Sequence, residues 1–446
     1  MNIAEYIKNQ LPLWPNWINA ILLRCNVFGG LVYGKSYQYY CKTIDKIDPT
    51  KKLLDMVNYA IKNVPYYREK YGDQEIHSIE DFETKIGFID KDEVMSHWNK
   101  FIADNVDLNK CTVGTTGGTS GKPLKLVNTI SRYAVELAFM HKMWKSTGWN
   151  YNIRGVIRNH KLPSSKTYIV NPITKELIFD AFRINAEYVQ EIVLILKRYN
   201  VHYIQAYPSS AYHFCKICKK YNIDISFLKY FLCGSEGVSD EQYDFITNKM
   251  SIGLFSWYGH SEKLILGGTT STYDHFCYID PKYGLFELVD SNNRQIYEKG
   301  KQGEMVGTTF FNYVMPLIRY KTGDCAILNK KRENICENAV LSKIEGRRDI
   351  NLIYKRDGTT TSITALNLHN AIYEKIDGMQ YFQKEKGIID VHLIKGDDYN
   401  VKIENEIYNH IKNAMGEDSV VNITYVDKLT NLPNGKFLPL ISTVKK

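Results

Sequence analysis

The amino-acid sequence lacks several features that define whole classes of proteins. In its 446 residues there is no run of about 18 uncharged apolar residues, which excludes a membrane-spanning helix. Its N-terminus, MNIAEYIKNQ, has neither the basic start nor the small-residue cleavage site of a signal peptide. The apolar segment 17–23 is too short to cross a bilayer. We interpret it as a docking helix, with weak association to a membrane surface as the alternative.

Clustered charge and a disulfide framework are also missing. The net charge of +8 is spread along the chain, without a basic tail or patch, which argues against a nucleic-acid partner and suits anionic small molecules such as nucleotides. The nine cysteines show no framework spacing, so reduced thiols in a cytoplasmic protein are expected. Cys215 and Cys218 form a CxxC near His213, but no second ligand pair for zinc follows. We therefore favour buried thiols on a helix and leave open any role beyond packing.

The periodicity of apolar residues predicts an α/β fold. A helical repeat covers 49–71, and a second helix follows a Gly- and Thr-rich stretch at 112–128. Apolar strands then alternate with helices, which predicts a largely parallel sheet covered by helices on both faces. The predicted strands are 153–159, 202–207, 230–236 and 253–259, and the predicted helices are 130–147, 186–200, 209–221 and 239–250. Short alternating runs over 264–345 predict an antiparallel β subdomain.

The pattern changes again at EGRRD, residues 345–349. Beyond it, strand-like and helix-like segments form a piece of about a hundred residues that reads as a small α+β domain. We predict a large N-terminal domain over 1–345, a hinge at 346–349 and a small mobile C-terminal domain over 350–446.

The most informative loop is rich in glycine and hydroxyl residues. Its sequence, TTGGTSGKP over 115–123, offers backbone N–H and side-chain O–H donors that can approach a phosphate closely. It is not a Walker A loop, because Thr116 and Pro123 stand where that pattern needs Gly and Ser or Thr. The alternative is a flexible surface loop. The candidate phosphate-binding residues are Thr115, Thr116, Gly118, Thr119, Ser120 and Lys122.

Two further motifs follow predicted strands of the parallel sheet, where ligands of such sheets bind. The first is Gly234-Ser235-Glu236, and the second is YGHSE, which begins with Tyr258-Gly259 and ends at Glu262. Tyr258 could cover an adenine ring, and the hard carboxylate oxygens of Glu262 could hold Mg²⁺. Ordinary strand-end turns are the alternative for each.

Three motifs lie nearer the C-terminus. RYKTGD ends at Asp324, which could bind ribose hydroxyls, although Thr-Gly-Asp also makes common hairpin turns. GRRD contains Arg347 and Asp349, for which a solvated linker is the alternative. NGKF contains Lys436, which in most proteins would be a lysine on an exposed turn.

Together, in this order, these motifs resemble the adenylate-forming superfamily of acyl-CoA ligases, peptide-synthetase adenylation domains and luciferases. The resemblance covers the chain from about residue 50 to its end. The stretches VPYYREKYG, QAYPSSAYHF, YGLFELVD and PLIRYKTGD are similar to the phenylacetate–CoA ligase-like branch. That branch includes CapK-type capsular polysaccharide proteins and coenzyme F390 synthetase-like proteins.

The resemblance implies a role for each motif. The Gly/Thr loop would hold the β- and γ-phosphates of ATP, Tyr258 would stack on adenine, and Gly234, Ser235, Glu236 and Gly259 would line the nucleotide site. Glu262 would bind Mg²⁺ and act in catalysis. Asp324 and Arg347 would bind the ribose, with Arg347 also within reach of the phosphates. Asp349 would be the hinge, and Lys436 would be the lysine that promotes adenylation.

The implied activity is AMP-forming activation of a carboxylic acid, followed by transfer of the acyl group to coenzyme A or another acceptor, in surface polysaccharide biosynthesis. The segment LPLIS after NGKF departs from the basic continuation of many relatives, so the acceptor stays open. One alternative is a nucleotidyltransferase that leaves AMP on its target, and another is a silent nucleotide-binding module. The acyl substrate and the oligomeric state are not indicated by any motif.

Overall fold

The chain folds as a mixed α/β protein in two compact units, which confirms the predicted fold class. The computed structural model describes residues 14–24, 33–116, 123–158, 160–181, 183–235, 237–238, 240–270, 276–345, 352–366, 368, 372, 375–396, 398–427, 429–430 and 440–444. The first unit is drawn from 1–46, 133–258 and 267–278, and the second from 47–132, 259–266 and 279–446.

The helices begin and end at residues that explain their limits. They are α1 Asn16–Arg24, α2 Gly34–Thr43, α3 Pro49–Asn63, α4 Pro65–Tyr71, α5 Ile79–Lys85, α6 Lys91–Ser96, α7 Arg132–Trp144, α8 Ala186–Arg198, α9 Pro208–Lys220, α10 Asp240–Asp244 and α11 Val401–Met415. The Asp48 carboxylate accepts the N–H groups of Thr50 and Lys51 and caps α3, and the Asn185 side chain caps α8 in the same way. The predicted helix over 49–71 is divided at Val64, which is extended because Pro65 follows it.

The strands are more numerous than the sequence pattern indicates. They are β1 Cys111–Thr115, β2 Lys125–Thr129, β3 Arg154–Ile157, β4 Tyr168–Asn171, β5 Glu176–Phe179, β6 Tyr203–Ala206, β7 Tyr230–Gly234, β8 Gly253–Gly259, β9 Leu266–Gly268, β10 Cys277–Ile279, β11 Gly284–Val289, β12 Gln302–Thr309, β13 Tyr320–Leu328, β14 Ala339–Glu345, β15 Leu352–Tyr354, β16 Thr360–Ser362, β17 Ile376–Gln383, β18 Ile388–Lys395, β19 Val420–Tyr425 and β20 Leu440–Ser442.

The first unit is built on a parallel sheet. Strands β8, β7, β6, β3 and β5 pair side by side in parallel, and β4 adds an antiparallel edge next to β5. Helices α8 and α9 bury apolar side chains such as Ile192 and Phe214 in a core that also contains Phe231 and Leu254 of the sheet. Leu23 of α1 belongs to the same core, which agrees with the predicted docking helix. The carboxyl ends of β3, β6, β7 and β8 therefore meet at one edge of this sheet.

The second unit contains the antiparallel strands β11, β12, β13 and β14, as the alternating pattern over 264–345 predicts. Its β1–β2 hairpin replaces part of the loop predicted over 112–128. Among the described residues, the strands of 352–442 pair only with one another. They form a two-stranded β15–β16 sheet and a four-stranded sheet in the order β19-β18-β17-β20.

The predicted hinge at 346–349 lies outside the described residues, and the predicted division into domains of 1–345 and 350–446 stays a prediction. No helix in the described ranges combines the length and apolarity that crossing a membrane requires.

Candidate active site

The β1–β2 hairpin carries the Gly/Thr loop at its tip. Thr115 pairs with Lys125, and one step further the Thr116 N–H donates to the Leu124 carbonyl at 2.9 Å. The Thr116 hydroxyl accepts the Leu124 N–H, also at 2.9 Å, and Thr116 is 7% exposed. Both ends of the loop are therefore fixed by one closed pair of hydrogen bonds, and Thr116 takes part in that closure. Gly118, Thr119, Ser120 and Lys122 lie outside the described residues, so their role stays a prediction.

Glu262 lies in a turn that we call the glutamate turn, residues 259–266 of the second unit. The Nδ1 atom of His260 is 2.9 Å from Glu262 Oε2, and His260 Nε2 accepts the Ile265 N–H at 3.2 Å. An imidazole nitrogen that accepts an N–H carries no proton, so the proton of His260 is on Nδ1 and is donated to Glu262. One hydrogen bond therefore fixes the tautomer of His260, and that tautomer orients the carboxylate.

The second oxygen of Glu262 also has a partner. The Tyr320 hydroxyl donates to Glu262 Oε1 at 3.4 Å. The two residues that flank Tyr320, Arg319 and Lys321, each form a backbone hydrogen bond with Ile89, which fixes the backbone at Tyr320. Burial raises the pKa of Glu262, but the hydrogen bond from His260, with a contribution from the charge of Lys91, outweighs burial and leaves the pKa below its usual value. Glu262 is therefore an ionised, partly buried carboxylate with a fixed orientation.

Arg132 clamps the glutamate turn from the start of α7. Its Nη2 atom donates to the Lys263 carbonyl at 2.7 Å, and its guanidinium lies 4.6 Å from the ring centre of Tyr283 and 5.7 Å from that of Phe311. Arg132 is 1% exposed, and its Nε and Nη1 atoms have no hydrogen-bond partner among the described residues. Burial, followed by the charge of Arg132, lowers the pKa of Lys263 to about 8. Arg132 therefore holds the backbone of the glutamate turn next to Glu262, and neither Arg132 nor Lys263 was predicted as a site residue.

Asp324 lies on a bulge of β13. Residues 322–324 oppose the single residue Met305 of β12, because the register changes between Glu304 and Val306. Gly323 has a φ of 74° and donates its N–H to Glu304 Oε1, while the Thr322 hydroxyl donates to the Met305 carbonyl at 2.8 Å and accepts the Asp324 N–H. Bulges re-aim side chains next to active sites. The Thr-Gly-Asp motif therefore makes a bulge within a strand, not the hairpin turn considered as its alternative.

Contacts within the second unit join three of the motifs. Glu262 contacts Tyr320, which lies on the same strand as Asp324. The β1–β2 hairpin contacts the segment before that strand, because Asn312 Nδ2 donates to the Val127 carbonyl at 2.9 Å. Arg132, just after the hairpin, holds the glutamate turn. The hairpin, the glutamate turn and the bulge are thus linked by hydrogen bonds, whereas the approach of Asp324 to Glu262 and to the loop stays a prediction.

The remaining described site residues belong to the first unit or to its boundary. Gly234 ends β7, and a Cβ atom there would lie 2.3 Å from Trp257 Cε2, so only glycine fits. Ser235 has a φ of 70°, which is unusual for a residue with a side chain and often marks a functional position. Tyr258 is partly buried in β8, and Gly259 ends that strand.

Several predicted residues have no described position, namely Glu236, Arg347, Asp349 and Lys436 in addition to the four loop residues. Cys215 and Cys218 are buried, and burial raises the pKa of both thiols, that of Cys218 to about 12. Within the described ranges, no group of three His, Cys, Asp or Glu side chains could hold a metal ion. Buried packing thiols account for the CxxC.

A single oriented carboxylate such as Glu262 fits Mg²⁺ better than a metal that needs a complete protein cage. Mg²⁺ is usually bound by one or two carboxylates together with substrate phosphates and water. Glu262 is ionised, and two hydrogen bonds hold it in place. The residues of the glutamate turn therefore fit a magnesium ion that arrives with a phosphate ligand.

Comparison with solved structures shows which known fold the chain resembles. The structure of 2-hydroxyisobutyryl-CoA ligase in complex with 2-HIB-AMP and CoA, in the thioesterification state, matches with a TM-score of 0.55 and 16% identity over 88% of each chain. The same enzyme in the postadenylation state with R3-HIB-AMP gives a TM-score of 0.51 and 15% identity, again over 88% of each chain. The chain therefore shares the fold of this CoA ligase, as the predicted resemblance to the adenylate-forming superfamily implies.

The comparisons also support the predicted branch. Residues 352–443 match the family model of the CapK C-terminal domain. Protein CapK of Staphylococcus aureus is 21% identical over 462 aligned residues, which span 99% of this chain and 100% of CapK. The resemblance to CapK-type proteins thus extends over the whole chain.

Proposed function

We propose that this protein uses ATP to activate a carboxylic acid as an acyl adenylate and then transfers the acyl group to coenzyme A or another acceptor. The observation that carries the proposal is the orientation of Glu262, an ionised carboxylate bound at both oxygens on a turn clamped by Arg132. Similarity to CapK favours a surface polysaccharide precursor as the context, and the need for ATP favours a cytoplasmic location.

In the first step a substrate carboxylate oxygen would attack the α-phosphorus of ATP, and the bond to the leaving pyrophosphate would break. Both reactants are anions, so the protein must position them and stabilise negative charge. Bound Mg²⁺ would neutralise phosphate oxygens. Glu262 would hold that ion, and His260 and Tyr320 would keep Glu262 oriented.

The nucleotide would be held by groups from several motifs. Thr115, Thr116, Gly118, Thr119, Ser120 and Lys122 would bind the β- and γ-phosphates, Tyr258 would cover adenine with Gly234, Ser235, Glu236 and Gly259 around it, and Asp324 and Arg347 would bind the ribose. Lys436 would bring a compact positive charge to the reacting carboxylate and α-phosphate. Rotation about Asp349 would then expose the adenylate to the acceptor.

Substrate-dependent exchange of pyrophosphate into ATP over a panel of carboxylic acids tests the first step. We expect exchange with a restricted set of acids and its loss in Glu262→Gln. ATP binding without exchange for any acid, in a folded protein, would favour a silent nucleotide-binding module.

The fate of AMP separates the main proposal from its rival. Release of free AMP when coenzyme A or a glycan-precursor amine or hydroxyl is added supports acyl transfer. AMP retained on the product would support a nucleotidyltransferase like the coenzyme F390 synthetase-like proteins.

A further inference from the structure

Four residues meet at the carboxyl edge of the parallel sheet in the first unit. Arg158 follows β3, Tyr207 follows β6, Ser235 follows β7, and Trp257 lies near the end of β8. We call this group the arginine slot. Because β3, β6, β7 and β8 are parallel neighbours with matched registers, their ends lie side by side where ligands of such sheets bind.

The slot places its guanidinium close to two aromatic rings. Arg158 Nη2 donates to the Ser235 hydroxyl at 2.8 Å, and the guanidinium carbon lies 4.9 Å from the ring centre of Tyr207 and 5.7 Å from that of Trp257. The rings leave the guanidinium edge as the direction for further hydrogen bonds. The left-handed backbone of Ser235 and the absence of a side chain at Gly234 are what allow this arrangement.

The charge of Arg158 is not neutralised within the described part of the chain. No carboxylate there forms an ion pair with it, and Ser235 is its only hydrogen-bond partner in those ranges. Two other arginines of the protein are treated differently. Arg154, at the start of the same strand, pairs with Glu176 and also bonds Gln205, and Arg319 pairs with Glu287 at 2.7 Å. A partly buried, oriented and unpaired guanidinium is an anion-binding group.

We propose that the arginine slot binds a carboxylate of the organic acid substrate. A guanidinium edge presents two parallel donors that match the two oxygens of a carboxylate, and the flanking rings suit an apolar skeleton next to it. The assignment to a substrate rests on the proposed activation of an acid. A phosphate of the nucleotide is the other oxyanion with suitable chemistry, and the experiments below distinguish the two.

Binding is measured first, without turnover. In the ¹⁵N-labelled full-length protein, the Nε–H signal of Arg158 is assigned with Arg158→Gln and followed during titration with sodium benzoate, neutral benzamide and AMP. We expect a saturable shift with benzoate and none with benzamide. No saturable shift with benzoate, or a shift with AMP alone, overturns the proposal.

Arg183 provides the matched control in the same unit. Its guanidinium lies 4.3 Å from the Tyr188 ring centre, and it donates to the carbonyls of Ser164 and Lys166. Its Nε–H signal should not respond to benzoate, and Arg183→Gln should leave the Arg158 titration unchanged. An equal response of both arginines would mean nonspecific anion binding and would also overturn the slot.

Kinetics test the link to the proposed function. With an acid that supports pyrophosphate exchange, Arg158→Gln should raise KM for the acid by about 10- to 100-fold, the scale of a lost charge-assisted hydrogen-bond pair. KM for ATP should change less than about twofold, and Arg183→Gln should change neither constant. Parallel increases in both KM values overturn the assignment to the acid. If no acid supports exchange, the proposed function fails, while the benzoate titration still decides the slot.

Discussion

The arginine slot and the glutamate turn hold single charges of opposite sign, and the protein treats them in opposite ways. Glu262 accepts hydrogen bonds at both oxygens from His260 and Tyr320. Within the described ranges Arg158 makes one hydrogen bond, to the Ser235 hydroxyl, and otherwise lies near two aromatic rings. The carboxylate is thus fixed before any ligand arrives, whereas the guanidinium keeps donors for a ligand. The comparison teaches that fixed orientation and spare hydrogen-bonding capacity mark two different kinds of site.

Two histidines, His260 and His141, also differ in how many of their ring nitrogens have hydrogen-bond partners. His260 uses both ring nitrogens, one toward Glu262 and one from Ile265. His141 in the first unit is 1% exposed, with Nδ1 2.8 Å from the Tyr37 hydroxyl, while Nε2 has no partner within the part of the chain that the structure describes. Burial, then the charges of Arg154 and Lys145, lower the pKa of His141 to about 3. One histidine therefore orients an acid, and the other is a neutral part of an aromatic cluster.

The largest effect on the adenylation rate is expected from substitution of Lys436, which belongs neither to the arginine slot nor to the glutamate turn. Lys436 is the cation proposed to act between the reacting carboxylate and the α-phosphate in the transition state, so Lys436→Ala should slow adenylation by about 10²–10³, the scale for one preorganised electrostatic stabiliser. Affinity for ATP should change much less, and transfer from a prepared acyl adenylate should be nearly unaffected. Pyrophosphate exchange measures the first effect. Exposed Lys402 on α11 is the control, since Lys402→Ala should behave like the wild type, and wild-type exchange in Lys436→Ala would refute the role of Lys436.

The next largest effect is expected from a substitution that tests whether Mg²⁺ binding depends on the orientation of Glu262. His260→Ala removes the donor to Oε2, and loss of such an orienting partner typically costs about 10- to 100-fold in metal affinity or activity. We expect the Mg²⁺ concentration for half-maximal exchange to rise by that factor.

His202 is the matched histidine for this test, because its Nδ1 contacts the carbonyl of Phe227, which is not a predicted site residue. His202→Ala should leave the Mg²⁺ dependence unchanged. A reduced rate in His260→Ala with an unaltered Mg²⁺ dependence would mean that His260 does not act through Glu262.

Much of the fold could be predicted from the sequence because buried parallel strands are continuous apolar runs. The runs at 153–159, 202–207, 230–236 and 253–259 contain β3, β6, β7 and β8. Strands β4 and β5 were not predicted; each has only four residues, and β4 lies at the edge of the sheet with β5 next to it. The β1–β2 hairpin was not predicted, because the glycines and threonines of its loop made the whole segment look like a loop.

Site residues could be predicted where they belong to short sequence motifs. Residues whose role depends on tertiary contacts could not be predicted. Glu262 and Asp324 stand out in YGHSE and RYKTGD. Arg132 and Arg158 look like ordinary surface arginines in ISRYAV and VIRNH. Only the structure shows that Arg132 is buried against two aromatic rings. It also shows that Arg158 has no carboxylate beside it among the described residues.

A smaller effect should appear as acid sensitivity of the first unit. His141 is neutral in the native state down to pH about 3, whereas an unfolded histidine binds a proton below about pH 6.5, so the unfolded state gains protons first. Stability should therefore fall as pH falls through this window, by about 2 kcal/mol between pH 6.5 and 5. Urea unfolding at several pH values should show this loss in the wild type and a flatter dependence in His141→Gln. The exposed His97→Gln should keep the wild-type slope, and equal slopes in all three proteins would contradict the assignment.

The smallest effect separates the two partners of Glu262. The Tyr320 hydroxyl is 3.4 Å from Oε1, longer than the 2.9 Å between His260 and Oε2, so it contributes the weaker hydrogen bond. Tyr320→Phe should lower pyrophosphate exchange by about three- to tenfold, which corresponds to the roughly 0.5–1.5 kcal/mol of one ordinary hydrogen bond. Tyr297 is a matched tyrosine in the same unit, because it donates to Glu83 at 2.7 Å. Tyr297→Phe should cost stability without changing exchange, because Glu83 is not a predicted site residue. A larger loss in Tyr320→Phe than in His260→Ala would reverse the order of the two partners and make the tyrosine the main orienting group.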